Sequence, residues 1–278
     1  MEYKIIVDSC GELTDDMKND GHFQTVSLAM EVSGKHIKDD ETFNQKEFLE
    51  LVANSEECPK SSCPSPEEYM NSYREGDRVY IVTLSAELSG SYNSAELGKN
   101  LYFEEYGDKD IYVFNSRSAS VGETLIARKI KECEDAGMSF EDVITTVEEY
   151  IDSQKTYFVL ENIDTLKKNG RLTGIKALVA TALNIKPILC STKEGTIDQL
   201  GKARGVKKAV SKMVDIIADE NKDTKDKVLG ISNCNCKERA ESVKAQLLET
   251  NQFKDVIIVD TAGISTMYAN DGGVIVVL

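Results

Sequence analysis

The segment VYIVTLSAELSGSYNSAELG, Val79–Gly98, decides the fold of this chain. Its first six residues, from Val79 to Leu84, are apolar and rich in β-branched side chains, which predicts a buried strand of a parallel sheet. A loop rich in serine and glycine follows, and a helix-forming run begins at Tyr92. Free backbone N–H groups and the positive end of the helix dipole favour anions at such a helix start. The segment therefore predicts an α/β fold with an anion site at this loop.

The same alternation of strand and helix runs through the first half of the chain. Ser65 and Pro66 form a strong helix start, because a serine cap, a proline in the first turn and Glu68 complete a capping box. We expect a three-layer α/β/α domain with a parallel sheet. Its further predicted elements are strands at Tyr3–Val7, Thr25–Val32 and Ile111–Phe114 and a helix at Gln45–Asn54.

The pattern restarts near Ser153 and Gln154, so we expect two domains, 1–154 and 155–278. In the second half a Lys193-Glu194-Gly195 turn predicts a β-hairpin, and a mixed sheet in a two-layer α/β domain follows from it. The predicted strands are Thr156–Glu161, Pro187–Ser191, Thr196–Lys202, Val228–Ser232, Val256–Val259 and Val274–Val277, and the predicted helices include Ile175–Leu183, Val206–Ala218 and Arg239–Glu249.

Composition narrows the classes of partner. Of 278 residues, 41% are hydrophobic and 29% charged, which is typical of a globular protein with a sizeable core. The net charge of −15 argues against nucleic acid and anionic membranes, because binding phosphates requires a basic face. No apolar run approaches the roughly 18 residues of a transmembrane helix, and the N-terminus lacks the pattern of a secretory signal. We expect no nucleic-acid partner and no transmembrane segment.

The seven cysteines do not form a disulfide framework, since their number is odd and their spacing irregular. A reducing cytoplasm is the expected location. Cys234 and Cys236 form a CxC pair, but the two histidines, His22 and His36, lie far away in sequence. Zinc sites normally need four ligands, so we expect neither a metal nor a cofactor.

Three loops rich in hydroxyls lie where ligands bind in open parallel sheets, after strands or before helices: Asp8-Ser9, Ser61–Ser65 and Ser85–Ser91. A single serine in such a loop also serves as a cap or turn residue, and Ser65 is expected to cap a helix. Without a positive residue in the same loop, neutral hydroxyls suit a carboxylate better than a phosphate. The three loops together predict a site for a carboxylate-bearing ligand.

An enzyme that uses a loop serine is the alternative. A nucleophilic serine needs an adjacent base, and neither histidine belongs to a recognisable catalytic motif. The loop Leu88-Ser89-Gly90-Ser91 also differs from G-x-S-x-G, and the chain lacks the common nucleotide-binding motifs. A hydrolase or transferase that acts on a small carboxylate through Ser89 or Ser91 stays as the second hypothesis.

Several ordered motifs carry a resemblance to a known family. They are IIVDSCGEL near the N-terminus, Ser61–Pro66, Leu84–Tyr92, Leu166–Arg171 and Gly201–Arg204. In this order and spacing the chain resembles, over essentially its full length, the DegV family of bacterial fatty acid-binding proteins. That family includes the acyl-carrying subunits of bacterial fatty acid kinase.

The resemblance implies a two-domain α/β carrier, without catalytic residues, for a long-chain fatty acid such as palmitate. The acid would lie in a cleft of the N-terminal domain, its carboxylate held by hydroxyls at the positions of Ser61 and Ser89. Ser62, Gly90 and Ser91 belong to the same two loops and are expected to support it. A separate fatty acid kinase would be the partner of the loaded protein, which would otherwise act as a store or sensor.

Five positions bear on this expectation, three by departing from the family pattern and two by matching it. Ser61 stands where the family usually has threonine, and Cys63 where it has glutamine. The position of a C-terminal histidine, which the family links to phosphoryl transfer, looks like Ala269. Arg171 and Arg204 match family arginines, which would either neutralise the acyl head group or dock a kinase. Their alternative role is structural, in ion pairs with the many surface acids.

Overall fold

The computed structural model describes residues 2–172 and 184–278. The helix predicted at Ile175–Leu183 lies outside these residues. The described strands, in chain order, are β1 (Tyr3–Asp8), β2 (Phe23–Val26), β3 (Ala29–Val32), β4 (Lys35–Lys38), β5 (Lys60–Ser62), β6 (Arg78–Thr83), β7 (Asp110–Asn115), β8 (Thr156–Val159), β9 (Ile185–Ser191), β10 (Ile197–Arg204), β11 (Val228–Asn233), β12 (Asp255–Asp260) and β13 (Val274–Val277).

Helices cover the sheets and connect most of the strands. The described helices are α1 (Asp15–Asp20), α2 (Gln45–Ala53), α3 (Pro66–Ser72), α4 (Ser91–Tyr106), α5 (Val121–Asp135), α6 (Phe140–Ser153), α7 (Asp164–Lys168), α8 (Val206–Glu220), α9 (Lys237–Thr250) and α10 (Gly263–Ala269). At the start of α3 the predicted capping box is present, with Ser65 and Glu68 each bonding the other's backbone N–H.

The first sheet is parallel, with strand order β2-β1-β6-β7. Successive side chains of a strand point to opposite faces. Ile6 and Ile81 accordingly pack with α3 and α4 on one face, and Ile5 and Tyr80 pack with α5 and α6 on the other. The predicted three-layer arrangement around a parallel sheet is confirmed.

The second sheet is mixed, with strand order β10-β9-β8-β13-β11-β12, in which only β11 and β12 are parallel. Helices α8 and α9 cover one face. The mixed sheet and its β9–β10 hairpin are confirmed. Helix α5 contacts strands of both sheets. The division into 1–154 and 155–278 therefore stays a prediction.

A third, antiparallel sheet of β4, β3 and β5 corrects the sequence analysis. The strand predicted at Thr25–Val32 is two strands: β2 belongs to the parallel sheet and β3 to this small sheet. The interruption falls at Ser27 and Leu28, and the amide of Leu28 bonds the hydroxyl of Ser9 instead of a neighbouring strand. The small sheet also places Ser61 in β5, where the sequence suggested only a loop.

Buried carboxyl groups lie where β1 ends and α5 begins. Asp8 and Glu123 are fully buried and Glu12 nearly so. Asp8 accepts three hydrogen bonds, whereas neither oxygen of Glu123 has a hydrogen-bond partner among the described residues. Burial, and then the charge of Asp8, holds the pKa of Glu123 well above its ordinary value. Burial therefore favours the protonated form of Glu123 in the folded protein.

Replacing Glu123 tests this protonation. In the unfolded chain glutamate ionises above about pH 4.5, so the folded wild type loses stability as the pH rises above that value. Glu123→Gln has no proton to retain. Its free energy of unfolding, measured by urea denaturation and circular dichroism, should gain more than about 1 kcal/mol relative to wild type between pH 4.5 and pH 8. Glu104→Gln, at an exposed position, is the control and should show no such trend. A pH-independent difference for Glu123→Gln would mean that Glu123 is ionised in the fold.

Candidate functional site

An apolar pocket lies between the mixed sheet and the loops that follow the strands of the parallel sheet. The sheet contributes Phe158, Ile197 and Ile275, and the loop after β6 contributes Leu84 and Leu88. The pocket encloses a volume of about 90 Å³, several times the roughly 10–15 Å³ that one water molecule needs. It is therefore larger than a single water site, and both halves of the chain line it.

This placement differs from the cleft within the N-terminal domain that the resemblance implied. The first half supplies mainly loop residues, such as Cys10 and Ala119. The apolar wall comes from alternate residues of β8 and its neighbours, whose side chains face away from α8 and α9. The parallel sheet has helices on both faces, so it offers no open apolar face of its own.

Helix α10 forms another wall of the pocket. Ile264, Ser265, Tyr268 and Ala269 of this seven-residue helix line it. Helix α10 was not predicted from the sequence. No run of helical apolar spacing long enough to be distinctive marks so short a helix.

Most polar side chains along the pocket are already hydrogen-bonded within the protein. The hydroxyls of Ser118 and Thr156 lie 2.6 Å apart, and Ser85 donates to the carbonyl of Gly195 at 2.8 Å. Cys10 is buried, which raises the pKa of its thiol well above the ordinary value and keeps it neutral. These groups close the pocket wall and leave it predominantly apolar.

One rim of the pocket carries a positive charge, from Arg171. Its Nε donates to the carbonyl of Leu88 at 3.0 Å, and Nη1 donates to the carbonyl of Asn169 at 2.6 Å. The guanidinium also lies 5.6 Å from the centre of the Tyr268 ring. No carboxylate of the described residues forms an ion pair with it, and residues 173–183 contain no aspartate or glutamate. Among the described residues, the guanidinium of Arg171, a partly buried cation, is thus held by two backbone carbonyls and the ring of Tyr268.

Ser61 lies at the same rim, where its hydroxyl is 2.9 Å from that of Tyr268. Burial raises the pKa of Tyr268, although the bond to Ser61 and the charge of Arg171 oppose this, so the phenol is neutral. Ser61, Tyr268 and Arg171 therefore form a continuous polar cluster, called here the rim cluster. Tyr268 lines the pocket but was not predicted from the sequence. The only signal for it in the sequence was its position next to Ala269.

The Ser85–Ser91 loop approaches the rim cluster through Leu88. Ser89 is half-buried, and its hydroxyl accepts a bond from the amide of Ser91 at 3.2 Å. Gly90 is exposed, and a Cβ built on it would lie 3.2 Å from the sulfur of Cys63, so the loops that contain Ser61 and Ser89 pack together. The role of Ser89 and Gly90 in ligand binding stays a prediction.

Ser91 and Ser62 point elsewhere. The side chain of Ser91 is fully buried and donates to Asp8 at 2.6 Å, and the hydroxyl of Tyr69 lies 2.6 Å from it. Ser62 is exposed on β5. Neither residue lines the pocket. The support that Ser62 and Ser91 are expected to give to a bound carboxylate stays a prediction.

Arg204 is exposed at the end of β10, opposite Ile185. Ile197, at the other end of the strand, is the β10 residue that lines the pocket. Seven residue steps along the strand separate the two by ~20 Å. The structure therefore does not bring Arg204 to the pocket. The arginines that line it are Arg171 and Arg117, and Arg117 is paired with Asp152 at 2.6 Å.

Ala269, the position matched to the family histidine, contributes an apolar contact. It is 2% exposed and packs beside Leu160 and Gly273. The polar group at this end of α10 is the hydroxyl of Tyr268. Sequence spacing alone could not distinguish which of these two neighbours faces the rim.

The geometry offers no serine nucleophile among the described residues. Within residues 2–172 and 184–278, no histidine or lysine lies within hydrogen-bond distance of the hydroxyl of Ser61 or Ser89. Ser91 contacts the carboxylate of Asp8 but is closed off from the pocket. The hypothesis of a hydrolase or transferase that uses a loop serine is not supported.

Two further features concern only the part of the chain that the structure describes. Residues 2–172 and 184–278 hold no cluster of three or more potential metal ligands. Within the same residues, no helix has the length and apolar character needed to cross a bilayer.

Comparisons with known proteins agree with this fold and pocket. The chain is 33% identical over 256 residues to a DegV domain-containing protein of Streptococcus pneumoniae, covering 91% of this chain and 89% of the relative. A crystal structure of a DegV family protein from Ruminococcus gnavus, refined with vaccenic acid, has 61% identity and a TM-score of 0.97 and covers 99% of both chains.

A second solved structure is the fatty acid kinase (Fak) B3 protein of Streptococcus pneumoniae loaded with linoleic acid. It is 31% identical, with a TM-score of 0.89 over 100% of this chain and 99% of that one. The family model described as "Uncharacterised protein, DegV family" matches residues 2–278. With the parallel sheet, the mixed sheet and the pocket between them, this match shows that the chain belongs to the DegV family.

Proposed function

We propose that this protein binds a long-chain fatty acid, with the acyl chain in the apolar pocket and the carboxylate at the rim cluster. The observation that carries the proposal is Arg171, a partly buried cation at the end of an apolar pocket without a carboxylate partner. A charge withdrawn from water is costly unless an opposite charge compensates it. A fatty acid supplies that charge and an apolar tail in one molecule.

The hydroxyls of the rim cluster complement the guanidinium. Ser61 and Tyr268 each carry one O–H donor, and their mutual bond at 2.9 Å uses only one of the two. Ser89, in the loop whose Leu88 carbonyl holds Arg171, is the next hydroxyl along. A carboxylate accepts several such bonds, and bonds to a charged group are the stronger ones. The rim cluster thus favours the ionised acid over an alcohol or ester of the same chain length.

The pocket accounts for the affinity. Each buried CH₂ group contributes about 0.8 kcal/mol, so a long acyl chain supplies most of the binding free energy, less the cost of immobilising it. The rim cluster fixes the orientation of the acyl chain. The R. gnavus protein with vaccenic acid and the Fak B3 protein with linoleic acid support this assignment, because they share the fold over nearly the whole chain.

The same likeness supports a role as a carrier that presents its acid to a fatty acid kinase, rather than as an enzyme. The lack of a base beside the rim hydroxyls agrees with a carrier. A cytoplasmic location belongs to the proposal as well, and the seven free cysteines support a reducing compartment.

The first test is the content of the purified protein. Extraction with denaturing organic solvent, followed by mass spectrometry, should recover close to one fatty acid per chain. Protein stripped of lipid should bind added oleate or palmitate. If the extract is empty and the stripped protein also fails to bind either acid, the proposed function is wrong.

The second test makes the same substitution, arginine to glutamine, at two positions. Arg171→Gln should weaken binding of palmitate by about 10- to 100-fold, because bonds to charged groups contribute about 1.5–3 kcal/mol. Binding of hexadecanol, which has the same chain and no charge, should change by less than about threefold. Calorimetric titration of both ligands measures this selectivity.

Arg204→Gln is the matched control, since Arg204 is exposed and lies away from the pocket. It should leave both affinities at the wild-type value. Equal losses for the acid and the alcohol in Arg171→Gln would contradict a carboxylate at Arg171. A selective loss in Arg204→Gln would move the head group to the other arginine.

A further inference from the structure

Helix α10 belongs to the second half of the chain but takes most of its side-chain hydrogen bonds from the first half. The hydroxyl of Ser265 donates to the carbonyl of Cys10 at 3.0 Å. Gln45 Nε2 donates to the hydroxyl of Thr266 at 3.3 Å and to the carbonyl of Thr261, just before the helix, at 2.9 Å. Since α10 forms a wall of the pocket, the first half of the chain determines where that wall lies.

Asp39 makes a charged contact with the first turn of α10. Its carboxylate accepts bonds from the amides of Gly263 at 2.7 Å and Ile264 at 2.8 Å. The side chain is 2% exposed and follows β4 of the small sheet. Two charged acceptor bonds in a buried setting fix the first turn of the helix both in distance and in direction.

The side chains packed around Gly263 leave no space for a larger residue at this contact. A Cβ built on Gly263 would lie 2.5 Å from Asp39 Oδ1 and 2.4 Å from the terminal methyl of Met30. Met30 is in β3 and is paired with Ser61 of β5. The small sheet therefore contacts both ends of α10: Asp39 and Met30 hold its start, and Ser61 bonds Tyr268 in its last turn.

We propose that Asp39 is a positioning residue of the fatty acid site, which holds the start of α10 so that Tyr268 meets Ser61 and the ligand carboxylate at the rim cluster. The inference rests on the proposed function and deepens it. Asp39 does not line the pocket, so its effect reaches the ligand only through the helix. Burial raises the pKa of Asp39 to about 6, and near pH 8 it is ionised and accepts both amide bonds.

The test joins Asp39→Asn with Tyr268→Phe in a double-mutant cycle near pH 8. Asparagine keeps the shape of the side chain but offers an NH₂ group where one of the two amides needs an acceptor. Asp39→Asn should weaken palmitate binding about tenfold, and adding Tyr268→Phe should cost little more, because the hydroxyl is already displaced. In protein that retains Asp39, Tyr268→Phe alone should lower the affinity for palmitate more than for hexadecanol.

A ligand-free measurement separates this inference from the proposed function. Amide hydrogen exchange of residues 262–270 in lipid-stripped protein should be faster in Asp39→Asn than in wild type. Ser139→Ala, which removes the cap of α6, is the control for general destabilisation. It should leave exchange in α10 and the effect of Tyr268→Phe unchanged.

Unchanged exchange in α10 of Asp39→Asn would overturn the inference. Full additivity of Asp39→Asn and Tyr268→Phe would overturn it as well, since Asp39 would then act only on overall stability. If wild-type protein binds no fatty acid, the proposed function fails, and the exchange measurement still decides whether Asp39 positions α10.

Discussion

The buried carboxylate of Asp8 holds the loops on which the site depends. Its Oδ2 accepts from the amide of Leu84 at 2.8 Å and from the hydroxyl of Ser91 at 2.6 Å, and its Oδ1 accepts from the amide of Cys10 at 3.1 Å. A carboxylate without water is tolerated only with such donors. These bonds join the ends of β1 and β6, and Leu88 of the second loop then accepts from Arg171. The arginine at the rim is thereby positioned by an aspartate that it does not contact.

Local patterns were sufficient to predict the strands of both large sheets. Runs such as Val79–Leu84 are β-branched and bounded by turn residues, and the Ser65-Pro66 start carries its own cap. Each of these signals comes from a few neighbouring residues, and the structure retains the elements that they predict. The parallel and mixed sheets follow from the order of such signals. The small sheet escaped prediction because Ala29–Val32 continues the apolar run of β2, and only the bond from Leu28 to Ser9 reveals the break.

Only part of the candidate site could be predicted from the sequence. The hydroxyl-rich loops singled out Ser61, and the family resemblance added Arg171 and Arg204. The structure brings Ser61 and Arg171 to one rim, whereas Arg204 lies at the far end of β10. A motif gives the order of residues along the chain. It does not show how far the strand that carries a residue extends from the pocket. The apolar wall was not predictable either, because Phe158 and Ile275 alternate along their strands as core residues do.

The ionisable groups that line the pocket show why it suits retention of an acid rather than its conversion. Arg171 supplies a positive charge to the rim cluster. Burial raises the pKa of Tyr268 and of Cys10, and both are neutral donors near pH 7. General acid–base catalysis needs a group whose pKa lies near the working pH. Glu12, whose pKa burial raises to about 7, is bonded to Ser120 and the amide of Ala262 and lies outside the pocket lining. The described pocket is thus lined by two arginines, of which Arg117 is paired with Asp152, and by neutral hydroxyls. This arrangement agrees with the proposal of a carrier that holds a carboxylate.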